Sequence, residues 1–269
     1  MAEIVAAFGV PHTPMFPDLV ERDGPECETA QLYRSIRKHL DEVQADVLLI
    51  FDSDHLNTFF LDNLPIFCIG AAPKTGGPND DNAKLPRYEV DVSEHHAAAL
   101  HRATVERGFD VALTQEFQVD HSILVPLHFL TPQMQIPIVP VFINGVVPPL
   151  PSSRRCHALG QALRDVVKSW PGGERVAVLA SGSFSLEVSG PKSGITDLAW
   201  MDTVLGCLSK ADTNTLLNAA TTERMLAAGN VSGELLNWIA LLGTIGDRKP
   251  VFLEPQMSHG HAYGAWRWD

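Results

Sequence analysis

His12 and His55 each follow an apolar run: Ile4 to Val10 leads into Pro11-His12-Thr13-Pro14, and Val47 to Phe51 leads into Asp52-Ser53-Asp54-His55-Leu56-Asn57. Open α/β sheets bind ligands outside the carboxyl ends of their strands, so imidazoles placed there are candidates for ligation. Taken singly, each is more readily a brace that hydrogen-bonds its own loop. A carboxylate that could join them is Glu234, which opens the apolar run Gly233-Glu234-Leu235-Leu236-Asn237-Trp238. An acid buried there requires a partner; the plainer alternative is a helix N-terminal acid facing the macrodipole. Two imidazoles and one carboxylate on one face of a metal leave positions open for substrate and O2, a set that suits non-heme Fe(II) oxygenases.

The elements that must hold these residues alternate along the chain. Glu26 to Ala45 carries Leu32, Ile36, Leu40 and Val43 at helical spacing, and the continuous apolar strand Val47 to Phe51 follows. Ala71 to Arg87 is rich in Pro, Gly, Asn and Asp and reads as a long loop of the lid or binding kind. Helices are predicted over Val92 to Gly108 and Ser153 to Trp170, and buried strands over Pro137 to Asn144 and Arg175 to Ala180; Val119 to Leu130 is mixed. The stretch Asp197 to Gly243 is largely helical, including Thr213 to Ala228 and Gly233 to Leu242. This alternation predicts a single α/β domain over residues 1–269: a mostly parallel or mixed sheet flanked by helices, with the active site at the strand C-terminal ends.

Charge and composition exclude several classes. The chain holds 32 acidic against 20 basic residues, a formal charge of −12, which repels nucleic acid and anionic membrane surfaces. Its apolar runs, such as Val47 to Phe51 and Ile136 to Ile143, fall well short of the roughly 20 residues that cross a bilayer. Met1-Ala2-Glu3-Ile4 begins no secretory signal, and a cytoplasmic protein is expected. Cys27, Cys68, Cys156 and Cys207 are scattered and read as reduced thiols. No GxGxxG or GxxxxGK[ST] occurs, and Ser181-Gly182-Ser183-Phe184-Ser185 departs from a GxSxG elbow, offering at most a small anion nest.

Four segments carry a resemblance: Gly9-Val10-Pro11-His12-Thr13-Pro14, Asp52-Ser53-Asp54-His55, Val119-Asp120-His121-Ser122-Ile123-Leu124-Val125-Pro126-Leu127 and Gly233-Glu234-Leu235-Leu236. In this order they resemble the class III extradiol ring-cleavage dioxygenases, in the branch of the catalytic β subunit of protocatechuate 4,5-dioxygenase. The resemblance implies a mononuclear Fe(II) held by His12, His55 and Glu234. It also implies His121 as an acid/base for substrate protons, a task that suits a group titrating near working pH. The implied reaction is extradiol cleavage of a catecholic aromatic acid of the protocatechuate or gallate kind with O2. The implied assembly is a homo-oligomer or a complex with a small helical subunit, of which the chain shows no fused copy.

One position departs from the family pattern. Where relatives carry a further active-site histidine after the strand matching Val176 to Ala180, this chain reads Ser185-Leu186-Glu187, with Leu186 at the histidine's place. Glu187, or Ser185 with a water, is a candidate substitute. The departure keeps open an alternative, a metal-binding relative with a different reaction or a non-catalytic regulatory or binding role. The remaining histidines read as structural: His95 and His96 on a solvated helix face, His39, His101 and His157 within amphipathic helices, His128 packed, and His259 and His261 along one side of a surface strand.

Overall fold

The computed structural model describes residues 1–268. In chain order its strands are β1 (Glu3–Val10), β2 (Val47–Asp52), β3 (Phe67–Gly70), β4 (Lys74–Gly77), β5 (Tyr88–Asp91), β6 (Ala112–Thr114), β7 (Ile138–Ile143), β8 (Arg175–Ser181), β9 (Phe252–Gln256) and β10 (His261–Arg267). The helices are α1 (Phe16–Asp23), α2 (Glu28–Val43), α3 (Glu94–Glu106), α4 (His121–Leu130), α5 (Ser153–Val167), α6 (Leu198–Lys210), α7 (Thr213–Ala219), α8 (Thr222–Ala228) and α9 (Leu235–Ile245). None of the described helices is long and apolar enough to cross a membrane.

Strands β7, β2, β8 and β1 lie side by side in parallel and form the middle of an eight-stranded sheet ordered β6-β3-β7-β2-β8-β1-β10-β9. Their apolar runs are continuous because both faces are covered. Along β2, Val47, Leu49 and Phe51 join a core beneath α3 and α5 to α9, while Leu48 and Ile50 join one beneath α1, α2 and α4. The expected α/β sheet between two helical layers is therefore present, and its mixed character comes from the edges. On one side β3 runs antiparallel to β7; on the other, β10 runs antiparallel to β1 and β9 to β10.

Several segments differ from the sequence expectation. The loop Ala71–Arg87 contains β4, which pairs with β5 as a separate two-stranded ribbon. Thr213 to Ala228 is two helices, because Thr221 turns its hydroxyl to the Arg224 amide and starts α8 anew. His96 is buried rather than solvated: its ring stacks on Trp170 at 4.0 Å, and its Nδ1 meets Ser93 Oγ at 2.8 Å. His261 is buried too, since β10 is a covered strand of the main sheet, whereas His259 lies outside it in an exposed turn. With Nδ1 unpartnered, His261 is held neutral by burial, its pKa pushed down to about 3.

Candidate functional site

Three neighbouring strands end at the same edge of the sheet and deliver the polar residues there. Chain leaves β1 through Pro11 into His12, leaves β2 through Ser53 and Asp54 into His55, and ends β8 at Ser181. Glu234 arrives from the opposite direction, closing a 3-10 turn (Ser232–Glu234) just before α9. Every residue of α9 is buried, so its start cannot drift, and Asn237 fixes it further. The Asn237 amide donates to the Ser181 carbonyl at 2.7 Å and to Ser53 Oγ at 3.1 Å, tying the helix to the ends of β8 and β2. Gly182 makes the close approach possible: it has φ 152°, and a Cβ there would fall 2.6 Å from Glu234 Cβ. His121 is the first residue of α4, held by the N-cap Asp120, which accepts the Ser122 amide.

The hydrogen bonds assign the protons of the two imidazoles. Ser181 Oγ donates its one proton to the Ser122 carbonyl at 2.7 Å, so it accepts from His12 Nδ1–H, also at 2.7 Å. His55 Nδ1, 3.2 Å from the Asp120 carboxylate, likewise donates, beside the His55 amide, which donates to the same oxygen at 3.1 Å. Both rings thus present Nε2 inward. The two Nε2 atoms lie 3.2 Å and 3.1 Å from one oxygen, Glu234 Oε1, while Oε2 accepts the Ser183 amide at 2.8 Å. Two nitrogen lone pairs and a carboxylate oxygen facing one another repel unless a cation sits among them. The donor set therefore fits a divalent metal of the kind bound by two histidines and one carboxylate. A second set, the His12, His55 and His121 ring nitrogens, lies within 4.8 Å, because His121 stacks on His55 at 4.6 Å.

Without a metal the cluster still requires positive charge. Burial opposes charging His55, but hydrogen bonds and attraction to Asp120 and Glu234 prevail and hold its pKa well above the ordinary value. For His12 burial prevails over Glu234, and its pKa falls. Burial alone would neutralise Glu234; His12 and His55 together keep it ionised far below the usual carboxylate range. Behind them Asp52 is buried with Oδ1 unpartnered, and burial together with Asp120 raises its pKa well above normal.

His12, His55, His121 and Glu234, all expected from sequence, line one cavity of about 210 Å3 with Asn82, Ser183, Leu186 and Val231 among its other walls. The two proposed stand-ins for the missing histidine do not reach it. Ser185 Oγ donates to the Ala228 carbonyl, and Glu187 turns outward to the Asn230 amide. Sequence reasoning missed Asp80, whose side chain is 3% exposed and whose Oδ2 accepts from His121 Nδ1 at 2.5 Å and from Asn82 at 2.8 Å. Nothing in the acidic run Asn79-Asp80-Asp81 marks which acid turns inward. Arg87, Arg154 and Lys192, the cations that could have met a substrate carboxylate, bond instead to the Pro78 carbonyl, Asn218 and the Ala227 carbonyl.

Residues 6–266 match the family described as "Catalytic LigB subunit of aromatic ring-opening dioxygenase". Among curated proteins, the 2,3-dihydroxyphenylpropionate/2,3-dihydroxicinnamic acid 1,2-dioxygenase 1 of Pseudomonas putida is 34% identical over 203 residues, covering 75% of this chain and 62% of the relative. A dioxygenase of the same description from Paraburkholderia xenovorans is 35% identical over 189 residues, covering 69% and 58%. The matched region thus spans about three fifths of the length of these relatives. A crystal structure of an uncharacterized Escherichia coli K12 protein shares the fold, with a TM-score of 0.64 at 16% identity over 97% of this chain and 99% of that one.

Proposed function

Because the chain belongs to the LigB family of catalytic subunits of aromatic ring-opening dioxygenases, of the class III extradiol type, we propose that it opens the ring of a catechol with O2 at a mononuclear Fe(II). The observation that carries this reading is the convergence of His12 Nε2, His55 Nε2 and Glu234 Oε1 with both Nδ1 protons committed elsewhere. These three residues would hold the metal. When bound, it would supply the means to bring diol and O2 together and polarise them.

The chain's own residues would manage protons and position. Asp80 holds the Nδ1 proton of His121, which leaves the other ring nitrogen of His121 to take a proton from a catechol hydroxyl and return it later. Ser181 and Asp120 keep the His12 and His55 rings from rotating, so neither must be oriented again on each turnover. Both oxygen atoms of O2 would enter the product as the carbon–carbon bond beside the two hydroxyls breaks. An aromatic acid was the expectation from resemblance, but Arg87, Arg154 and Lys192 do not line the cavity, so the ring is proposed only as a catechol. Assembly as a homo-oligomer or with a small helical subunit, in the cytoplasm, is part of the same proposal and rests on the resemblance.

The test is O2 uptake by anaerobically Fe(II)-loaded protein, with absorbance followed for a yellow ring-opened product. Stoichiometric uptake with a catechol supports the reading. A second reading, a metal protein with another reaction or a binding role, is favoured by one feature: Leu186 lines the cavity at the position where the resemblance implies a base, and neither Ser185 nor Glu187 replaces it. Tight iron without catechol-dependent uptake would select that second reading.

A further inference from the structure

Beside the donors and the polar Thr13, Asn82 and Ser183, the cavity has an apolar wall of Pro14, Leu186, Val188 and Val231. The acidic side chains nearest the donors are Glu234 on the cavity and Asp80 and Asp120 behind His121 and His55. No Lys or Arg is among the described residues that line the cavity. A substrate carboxylate directed at this wall would lose its hydration and meet methyl groups, a large penalty for an unpaired charge. The cavity volume of about 210 Å3 also lies below the ~300–1,000 Å3 of pockets for drug-sized ligands, room for a single ring with a short substituent.

We propose that the substrate is a single-ring catechol whose substituent is small and uncharged, and that Leu186, Val188 and Val231 select it against aromatic carboxylates. This rests on the catechol reading of the same site and names its substrate class. Leu186 thereby has a positive role: an imidazole at its place would put a polar group into the wall that contacts the substituent.

The test is calorimetric binding, under argon, of Fe(II)-loaded full-length protein to 3-methylcatechol and 4-methylcatechol, set against protocatechuate and 3-(2,3-dihydroxyphenyl)propionate. The expected result is that a methylcatechol binds on the order of 100-fold more tightly than either acid, the scale of leaving a buried charged group unpaired. Equal or tighter binding of an acid overturns the proposal while leaving the catechol reading intact. Binding of none of the four overturns both. The Val188→Arg variant gives a second arm, since Val188 is 52% exposed at the rim and tolerates a longer side chain. It should shift the ratio of protocatechuate to methylcatechol affinity about tenfold toward the acid; an unchanged ratio would remove this wall as the selecting element.

Discussion

Two groups of neighbouring histidine rings sit at opposite ends of the same sheet. At the carboxyl ends of the parallel strands, His12, His55 and His121 pack within 5.7 Å of one another, ring centre to ring centre. At the amino ends, where the Ala2 and Glu3 amides donate to the Trp170 and Glu174 carbonyls, the buried His96 stacks on Trp170 at 4.0 Å and lies 3.8 Å from the tilted ring of the exposed His95. Burial does not set His96 apart, since it is as buried as His12 and His121. What differs is the direction of the nitrogens: at the first end each Nδ1 is tied outward to Ser181, Asp120 or Asp80, and the opposite nitrogens of His12 and His55 converge on Glu234. At the second end, His96 uses its ring faces for packing, and its Nε2 reaches only to 3.5 Å from Glu174. His96 is anchored too, with Nδ1 on Ser93 Oγ. What makes a ligand site is that the free nitrogens of several anchored rings converge on one point, whereas a single anchored ring is a packing unit.

The sharpest way to break that comparison is to remove the point on which the nitrogens converge. Glu234→Ala should abolish stoichiometric iron and lower turnover to below about one thousandth, equivalent to roughly 4 kcal/mol of barrier. His121→Ala should keep the iron and lose ~10²- to 10⁴-fold in turnover, as expected for an acid/base group. Metal analysis separates the two. Iron retained in Glu234→Ala but lost in His121→Ala would move the third ligand to His121. The opposite end should respond in stability alone: Trp170→Ala opens a cavity beside His96 and should cost about 3 kcal/mol in urea unfolding, with iron content and turnover of the folded fraction unchanged. A loss of iron in that variant would mean that the two ends are coupled through the sheet.

How far the sequence foretold this arrangement follows from the same physics. The parallel strands were legible because they are covered on both faces and therefore run apolar without interruption, as in Val47-Leu48-Leu49-Ile50-Phe51. His12 and His55 were legible because each follows such a run. The antiparallel edge was not: β10 reads His-Ala-Tyr-Gly-Ala-Trp-Arg, and only its pairing with β1 shows that its small residues are buried. His96 and His261 were misread for a related reason, since helical or extended position says nothing about which neighbour covers a ring. Asp80 escaped because its partner His121 is distant in sequence and the loop between them is positioned by contacts rather than by local pattern. It should nevertheless be felt: Asp80→Asn removes the charge that orients His121 and should lower turnover about 10- to 100-fold at unchanged iron content. Undiminished turnover would reduce Asp80 to a loop anchor.

The smallest expected effect separates the two ends by pH. Burial lowers the pKa of His96 below the ordinary 6.5, His95 lowers it further, and Glu174 pulls the other way without overcoming them. The unfolded chain then binds the proton more readily than the folded one between these two values. The stability that depends on a neutral His96 is therefore fully present above about pH 6.5 and is lost as pH falls through the lowered folded value. His96→Phe keeps a ring on Trp170 and removes the titration. Its melting temperature should fall less than that of the parent between pH 7.5 and pH 5.5, a difference of about a degree or two for a contribution well under 1 kcal/mol. Parallel falls in the two proteins would place the acid sensitivity elsewhere, with His261 the next group to replace, because it is held neutral more strongly and at the site end of the sheet.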